Sequence, residues 1–328
     1  MSDTIRIGIA GYGNLGRGVE AALARAPDMT LAGVFTRRDP AALRLASAGV
    51  PARGMDDIAR FVADIDVLIL CGGSKSDLPE QGPALAALFN TVDSFDTHAR
   101  IPEYFDAVDA AARRGGRLAL ISVGWDPGLF SLQRLWGEAV LPDGAGYSFW
   151  GKGVSQGHSD ALRRVPGVKD AVQYTIPSEQ AMARARSGDN PVLTTREKHV
   201  RECFVALEAG ADAAVVERAI VTMPDYFADY DTTVHFIGAE ELRREHGAMP
   251  HGGCVIRSGA TGAGTRQAME FSLRLGSNPE FTASVLVAYA RAACRLARQG
   301  ERGARTVFDV APGLLSPKPP AELRRELL

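Results

Sequence analysis

IRIGIAGYGNLGR, residues 5–17, decides the fold. Apolar Ile5, Ile7, Ile9 and Ala10 read as a buried strand that runs straight into Gly11-Tyr12-Gly13-Asn14-Leu15-Gly16. The three glycines keep G-x-G-x-x-G spacing. In that pattern the first allows a tight turn, the second lets the backbone approach a pyrophosphate, and the third lets a helix pack close on the strand. Arg17 to Arg25, apolar at Val19, Ala22 and Leu23, reads as that helix. Its free N–H groups and positive dipole end suit a pyrophosphate. Three glycines alone are a weak motif. The strand before and the helix after raise it above the bland alternative, a glycine-rich turn in some other α/β protein.

Outward from this stretch, Met29 to Phe35 reads as a second strand ending at Thr36-Arg37-Arg38. An acid at such a strand end accepts from the ribose 2′-OH of NAD, whereas arginine accommodates the 2′-phosphate of NADP. Two arginines and a threonine hydroxyl, with no acid before Asp39, point to NADP(H), because guanidinium groups bind phosphate bidentately. Asp64 to Cys71 is a third strand, and its turn, Cys71-Gly72-Gly73-Ser74, falls on the cofactor's ribose side. Asn90 to Ser94 is a fourth, leading to Phe95-Asp96-Thr97-His98. Ile101 to Arg114 has helical periodicity. Arg117 to Val123 is a fifth strand, entering Gly124-Trp125-Asp126-Pro127-Gly128. Alternating strands and helices predict an α/β, Rossmann-type doubly wound parallel sheet over residues 1–123. Arg37, Ser74, Asp96 and Asp126 each fall just past a strand end, where such sheets bind ligands.

The pattern changes after Gly128. A helix is expected over Leu129 to Val140, and Gly153 to Asp160 reads as a glycine-rich polar loop. Strands are expected at Val168 to Ile176, Lys198 to Val205, Thr232 to Ile237, Gly252 to Arg257 and Gln267 to Leu275, with a helix at Ala214 to Thr222. Few helices separate them, so residues 124–299 are expected to form an α+β domain on an antiparallel or mixed sheet. Asn278-Pro279 opens a long helix through Gln299, and residues 300–328 are expected to return to the first domain.

Composition narrows the function classes. The chain has 328 residues, 46% hydrophobic and 23% charged, with a formal net charge of -2. That balance gives no bulk attraction to nucleic acid or anionic membrane. No apolar run approaches the roughly 20 residues of a membrane span. The N-terminus lacks a signal-peptide pattern. Cys71, Cys203, Cys254 and Cys294 are widely spaced, which reads as reduced thiols in the cytoplasm rather than a disulfide framework or a metal site. His246 and His251 flank the helix breakers Gly247 and Pro250, against a two-histidine metal site.

Among candidate reactive groups, Asp96 and Asp126 stand out, since an ammonium substrate over a nicotinamide needs carboxylates. Helix capping and a turn role are their structural alternatives. Trp125 and Trp150 sit beside glycines, as pocket walls or as packing. Arg201, in a strand, clamps a carboxylate if it points inward and is solvated charge if it points outward. His251 is a candidate donor to a carboxylate. Gln156, Gly157, Thr175 and Asn278 supply neutral donors that the residues alone do not single out.

Several segments resemble the meso-diaminopimelate D-dehydrogenase family. They are GYGNLGR from Gly11, TVDSFDTH from Thr91, GWDPG from Gly124, FWGKGVSQGHSDALRR from Phe149, TMPDYF from Thr222, MPHGG from Met249 and NPEFTAS from Asn278. They span nearly the whole chain. The resemblance implies NADP-dependent oxidative deamination of the D-centre of meso-2,6-diaminopimelate, giving L-2-amino-6-oxopimelate (which cyclises to tetrahydrodipicolinate), ammonia and NADPH. It implies that Asp96 and Asp126 lie near the reacting amine with Trp125 and Trp150, and that one of the two takes its proton, directly or through water. Gln156, Gly157, Thr175, Arg201, His251 and Asn278 would hold the carboxylates and the distant L-centre. Cofactor contacts would fall to Gly11 through Gly16, Thr36 through Arg38, Cys71 through Ser74, Ser94 through Asp96, Val123 through Pro127, and Asn278. It also implies a homodimer formed through the second domain. The alternatives are a non-catalytic NADP-sensing regulator and another NADP-linked reductase of amino-acid pathways. Against dihydrodipicolinate reductase, the chain lacks an H-H-x-x-K motif.

Overall fold

A computed structural model describes residues 4–328. The chain divides into two compact units, one running to Leu132 and resuming over Pro279–Leu328, the other Gln133–Asn278. The first stretch holds β1 (Ile5–Ala10), α1 (Asn14–Leu23), β2 (Met29–Thr36), β3 (Ala52–Gly54), β4 (Val67–Leu70), α2 (Leu78–Ala86), β5 (Thr91–Asp93), α3 (Ile101–Gly115) and β6 (Leu118–Leu120), and α4 (Leu129–Val140) starts in it and continues past Leu132. The second unit follows with β7 (Gly144–Trp150), β8 (Gly153–Val154), α5 (Gln156–Arg163), β9 (Val168–Pro177), α6 (Glu179–Arg186) and α7 (Thr195–Lys198). It continues with β10 (His199–Leu207), α8 (Ala213–Val221), β11 (Asp231–Phe236), α9 (Ala239–His246), β12 (His251–Thr261) and β13 (Thr265–Leu275). The return is α10 (Asn278–Arg298), β14 (Gly303–Arg305) and α11 (Pro320–Leu327).

In the first unit a seven-stranded sheet has the order β14-β6-β5-β4-β1-β2-β3, parallel throughout. The central strands are buried on both faces, which is why β4 reads VLIL with no polar alternation. Ile7, Ile9, Val67 and Ile69 pack with Val19 and Leu23 of α1 and with Leu286 and Tyr289 of α10. Leu68 and Leu70 face the other way, onto Leu78 and Leu85 of α2 and Tyr104 and Val108 of α3. The doubly wound parallel sheet is therefore present as expected. Its edge strand β3 was not foreseen. ARG is too short and too polar to carry a strand pattern, and it pairs only because β2 offers an open edge.

The second unit contains two sheets. One is mixed, in the order β11-β10-β9-β8, with β10 parallel to β11 and antiparallel to β9. The other is antiparallel, in the order β13-β12-β7. The expected loop over Gly153 to Asp160 is corrected: after β8 it becomes helix α5, starting at Gln156. Ser159 Oγ donates to the Ser155 carbonyl and accepts from Gln173 N–H, so local polar residues complete this helix rather than break it. The body of α10, which the sequence places in the second domain, belongs to the first unit.

One ion pair ties α10 into that unit. Arg291, 5% exposed, contacts both carboxylate oxygens of Asp28 at 2.6 and 2.7 Å, and its Nη1 donates to the Leu315 carbonyl at 2.7 Å. The Arg291 hydrogen bonds hold the Asp28 carboxyl below its ordinary range against the opposing effect of burial. Asp28→Ala strands a buried guanidinium and should cost about 3 kcal/mol at neutral pH, read from urea midpoints. A depressed carboxyl pKa stabilises above its unfolded value, and that stabilisation disappears as pH falls through the native value. The gap between parent and variant should therefore narrow below about pH 4. Equal midpoints at neutral pH would contradict this assignment.

Candidate functional site

Five loops of the first unit lie beyond the carboxyl ends of its strands. At the first, α1 begins after Gly13 with no side-chain cap. A Cβ placed on Gly13 meets nothing within 4 Å, whereas one on Gly16 would lie 2.3 Å from the Gly11 carbonyl oxygen. Gly13 thus faces open space, and Gly16 is required for close approach. A cleft of about 270 Å³ runs from this turn along Thr36 to Arg38 and Cys71-Gly72. Arg38 donates to the Tyr12 carbonyl, and its N–H to Thr36 Oγ1 at 3.1 Å. Arg37 is paired with Asp77 at 2.8 Å, and Asp77 also accepts from Gly73 N–H at 2.8 Å. The Tyr12 hydroxyl donates to buried Glu20, whose other oxygen accepts from Ser47 N–H at 2.7 Å. Uncapped helix, open glycine and two arginines beside the cleft together fit a phosphorylated dinucleotide.

Ser74 links this cleft to the fourth-strand loop. Its Oγ accepts from Asp96 N–H at 2.9 Å and Thr97 N–H at 3.2 Å. Asp96 is no helix cap, because α3 starts only at Ile101, after Arg100. Phe95 and Val123 are buried, and the N–H groups of both are held by Asp93, so neither of these two candidates presents a side chain to a ligand. Trp125 is 7% exposed and meets Phe130 edge-on at 5.3 Å. Ser94 and Asp126 are half-buried.

The second unit holds the remaining candidates. Thr175 of β9 lies opposite Arg201 of β10 in the ladder, and Arg201 Nη1 donates to the Thr175 hydroxyl. Arg201 is 6% exposed, yet no acid pairs with it among the described residues. Its guanidinium lies 3.8 Å from the centre of the Tyr230 ring, and its Nε has no hydrogen-bond partner. Desolvation lowers its pKa. Gln156 Nε2 approaches Met249 Sδ at 3.1 Å, and Asn278 N–H donates to the Met249 carbonyl at 2.9 Å. Gly157 lies in the first turn of α5, with nothing within 4 Å of a Cβ there. His251 Nδ1 accepts from Gly252 N–H at 2.8 Å.

Two contributors escaped the sequence reading. Tyr230 stacks under Arg201 from a segment without motif or periodicity, so nothing flagged it. His199 precedes Arg201 by two and shares its strand face, a signal that alternation could have supplied. Its Nε2 accepts Trp150 N–H at 2.9 Å, and the two rings stack with centroids 5.5 Å apart. Burial, then the Arg201 and Lys198 charges, push the His199 pKa down to about 3.

Residues 124–277 match the family model for the Diaminopimelic acid dehydrogenase C-terminal domain. A meso-diaminopimelate D-dehydrogenase of Ureibacillus thermosphaericus is 66% identical over 324 residues, covering 99% of each chain. Among solved structures, a substituted meso-diaminopimelate dehydrogenase from Clostridium tetani, crystallised with DAP, is 54% identical. It has a TM-score of 0.94 and covers 99% of this chain and 100% of that one. Its substitutions replace a glutamine, a threonine, an arginine, a proline, a histidine and an asparagine. An engineered D-amino acid dehydrogenase bound to NADP+ is 45% identical, with TM-score 0.86 and coverage of 99% and 100%.

A histidine with a depressed pKa stays neutral in the fold, and stability is lost as pH falls below the unfolded value of about 6.5. The His199 ring proton should therefore show a flat NMR shift between about pH 4.5 and 8, where an ordinary histidine titrates. A midpoint near 6.5 would contradict its role as an acceptor.

Proposed function

The chain belongs to the meso-diaminopimelate D-dehydrogenase family, and from that premise we propose how its own residues carry the reaction. It is an NADP-dependent dehydrogenase that reversibly deaminates the D-centre of meso-2,6-diaminopimelate to L-2-amino-6-oxopimelate and ammonia, serving lysine and cell-wall precursor synthesis. The readings as a regulator or as a different reductase are not favoured.

Bound NADP+ supplies the acceptor for the hydride that leaves the D-carbon. In our reading Gly11 through Gly16 hold its pyrophosphate at the α1 terminus, and Thr36, Arg37 and Arg38 hold the 2′-phosphate. Taking up that phosphate requires Arg37 to exchange Asp77 for a new anion. Cys71 through Ser74, Ser94 through Asp96, Val123 through Pro127 and Asn278 line the ribose and nicotinamide. Asp96 and Asp126 bind the D-centre ammonium, and one of them, directly or through water, takes the proton that must leave before hydride departs. Trp125 and Trp150 exclude water around that centre.

Arg201 is the observation that carries the substrate reading. A guanidinium buried without an acid is costly, and a carboxylate from outside the chain removes that cost through a bidentate pair. Thr175 and Tyr230 hold its plane. A second line of support comes from the DAP-bound Clostridium tetani structure. The six residue types substituted there recur here in the same order and at the same intervals, as Gln156, Thr175, Arg201, Pro250, His251 and Asn278. We assign these residues, with Gly157, to the two carboxylates and the L-centre. Geometry at both ends then selects the D-carbon, since two similar amino-acid ends must be read together.

We further propose a cytoplasmic homodimer joined through the second unit, with no nucleic-acid or membrane partner. Four free cysteines and a net charge of -2 support this, and no helix among the described residues is long and apolar enough to cross a membrane.

An assay of NADPH formation with the meso, LL and DD isomers should show turnover with meso and none with LL. Arg201→Met should reduce kcat/KM for the meso substrate about 100-fold or more, the scale of a severed buried charge pair, with NADP affinity unchanged. Asp126→Asn should reduce kcat, and full turnover at every pH would remove it from the proton path. Activity with none of the isomers would overturn the reading.

A further inference from the structure

Asp93 lies at the end of β5, three residues before Asp96, and is 1% exposed. The β5–β6 ladder pairs Thr91 with Ala119 and Val92 with Leu120, then stops. Past that point Asp93 takes over. Its Oδ1 accepts from Phe95 N–H at 2.9 Å on its own loop and from Ser122 N–H at 3.1 Å on the next. Its main-chain carbonyl accepts from Val123 N–H at 2.8 Å. Its Oδ2 accepts from the Tyr104 hydroxyl at 2.8 Å. Tyr104 in turn stacks on Phe95 with ring centroids 4.0 Å apart and planes 11° apart. A Cβ on Gly82 would fall 2.0 Å from that hydroxyl, so α2 leaves a gap where the tyrosine reaches the acid.

The bonds land where the two reactive loops depart. Phe95 N–H immediately precedes Asp96. Ser122 and Val123 open the segment that carries Asp126, and Ser122 has φ of 56°, a region that residues with side chains rarely enter. Holding that backbone requires an acceptor at its N–H, and Asp93 is that acceptor.

We propose that Asp93 is a positioning residue that fixes the separation of the loops bearing Asp96 and Asp126, with Tyr104 locking its second oxygen. The inference rests on the assignment of those two carboxylates to the reacting amine. Burial raises the Asp93 carboxyl to about 6, while the bonds from Phe95, Tyr104 and Ser122 oppose that rise. Asp93 itself touches neither substrate nor cofactor in this reading. Its effect is geometric, and a displacement of about 1 Å at a reacting group costs on the order of 100-fold in rate.

The test compares Asp93→Asn, Asp93→Ala and Tyr104→Phe in the full-length enzyme. It measures kcat and KM for meso-diaminopimelate, NADPH affinity by fluorescence and folded fraction by circular dichroism. The alanine variant should lose about 100-fold in kcat per folded enzyme. The asparagine variant, whose amide oxygen still accepts from both N–H groups, should recover about 10-fold of that loss, and Tyr104→Phe should lose only a few fold. NADPH affinity should fall by about 10-fold at most, because the pyrophosphate and 2′-phosphate contacts lie on other loops and only the ribose and nicotinamide contacts lie on these. If all three keep parental kcat per folded enzyme, or if asparagine is no better than alanine, the inference is overturned. Should alanine fail to fold, the other two decide. Asp96→Asn and Asp126→Asn, run alongside, separate the premises. Full activity in both overturns the carboxylate assignment. Their loss with an unaffected Asp93 series overturns only the positioning role.

Discussion

A Cβ on Gly16 would lie 2.3 Å from the carbonyl oxygen of Gly11, and the first unit is built on the absence of that atom. Without it α1 settles against β1, and its uncapped N-terminus faces the carboxyl edge of the sheet. Everything else in the unit keeps that edge in place. β1 lies between β2 and β4, buried on both faces, so the turn cannot drift along the sheet. The Tyr12–Glu20–Ser47 chain and the Arg38 bond to Tyr12 then fix the loop laterally. A glycine turn alone would be loose. Here it is rigid, because packing removes one degree of freedom and hydrogen bonds remove the others.

Two buried arginines show how the same group serves different ends. Arg291 meets Asp28 through two close bonds and closes the return of the chain into the first unit. Its charge is neutralised within the fold, and it contributes stability. Arg201 is as deeply buried, but its neighbours are a threonine hydroxyl and an aromatic face. Neither neutralises a full charge. Stability alone would not retain such a residue, since an apolar side chain of similar volume is often better tolerated. That uncompensated charge is the observation behind the proposal that Arg201 pairs with a substrate carboxylate.

Much of this was legible in the chain itself. Strand β4 announced itself because double-sided burial demands an unbroken apolar run, and α3 because its one-sided burial demands helical spacing. The cofactor was legible from the two arginines at Thr36 to Arg38, and the family from the resemblance of segments such as GWDPG from Gly124. The second unit was less readable. Strand β8 is only two residues long, too short to leave a periodic trace. Gly153 to Asp160 reads as a loop from its glycines and serines, while Ser159 in fact accepts a tertiary bond from Gln173 of β9. Tyr230 was invisible for a different reason. A stacking partner acts through position, and position is set by the fold rather than by neighbouring residues.

The same distinction explains where precision resides in this enzyme. Asp96 and Asp126 are on loops, and loops gain freedom as soon as the ladder ends. The proposed role of these two carboxylates needs a fixed geometry. The structure extends the ladder with side-chain acceptors. Ser74 takes the N–H groups of Asp96 and Thr97, and Asp93 takes those of Phe95 and Ser122. In the second unit His199 does the same for Trp150. Each is an acceptor turned toward a main-chain N–H next to a functional residue, so each replaces the sheet bond missing at that point. Where the regular hydrogen bonds of the sheet run out, these side-chain acceptors continue them, so the loops that carry Asp96 and Asp126 are held much as strands are.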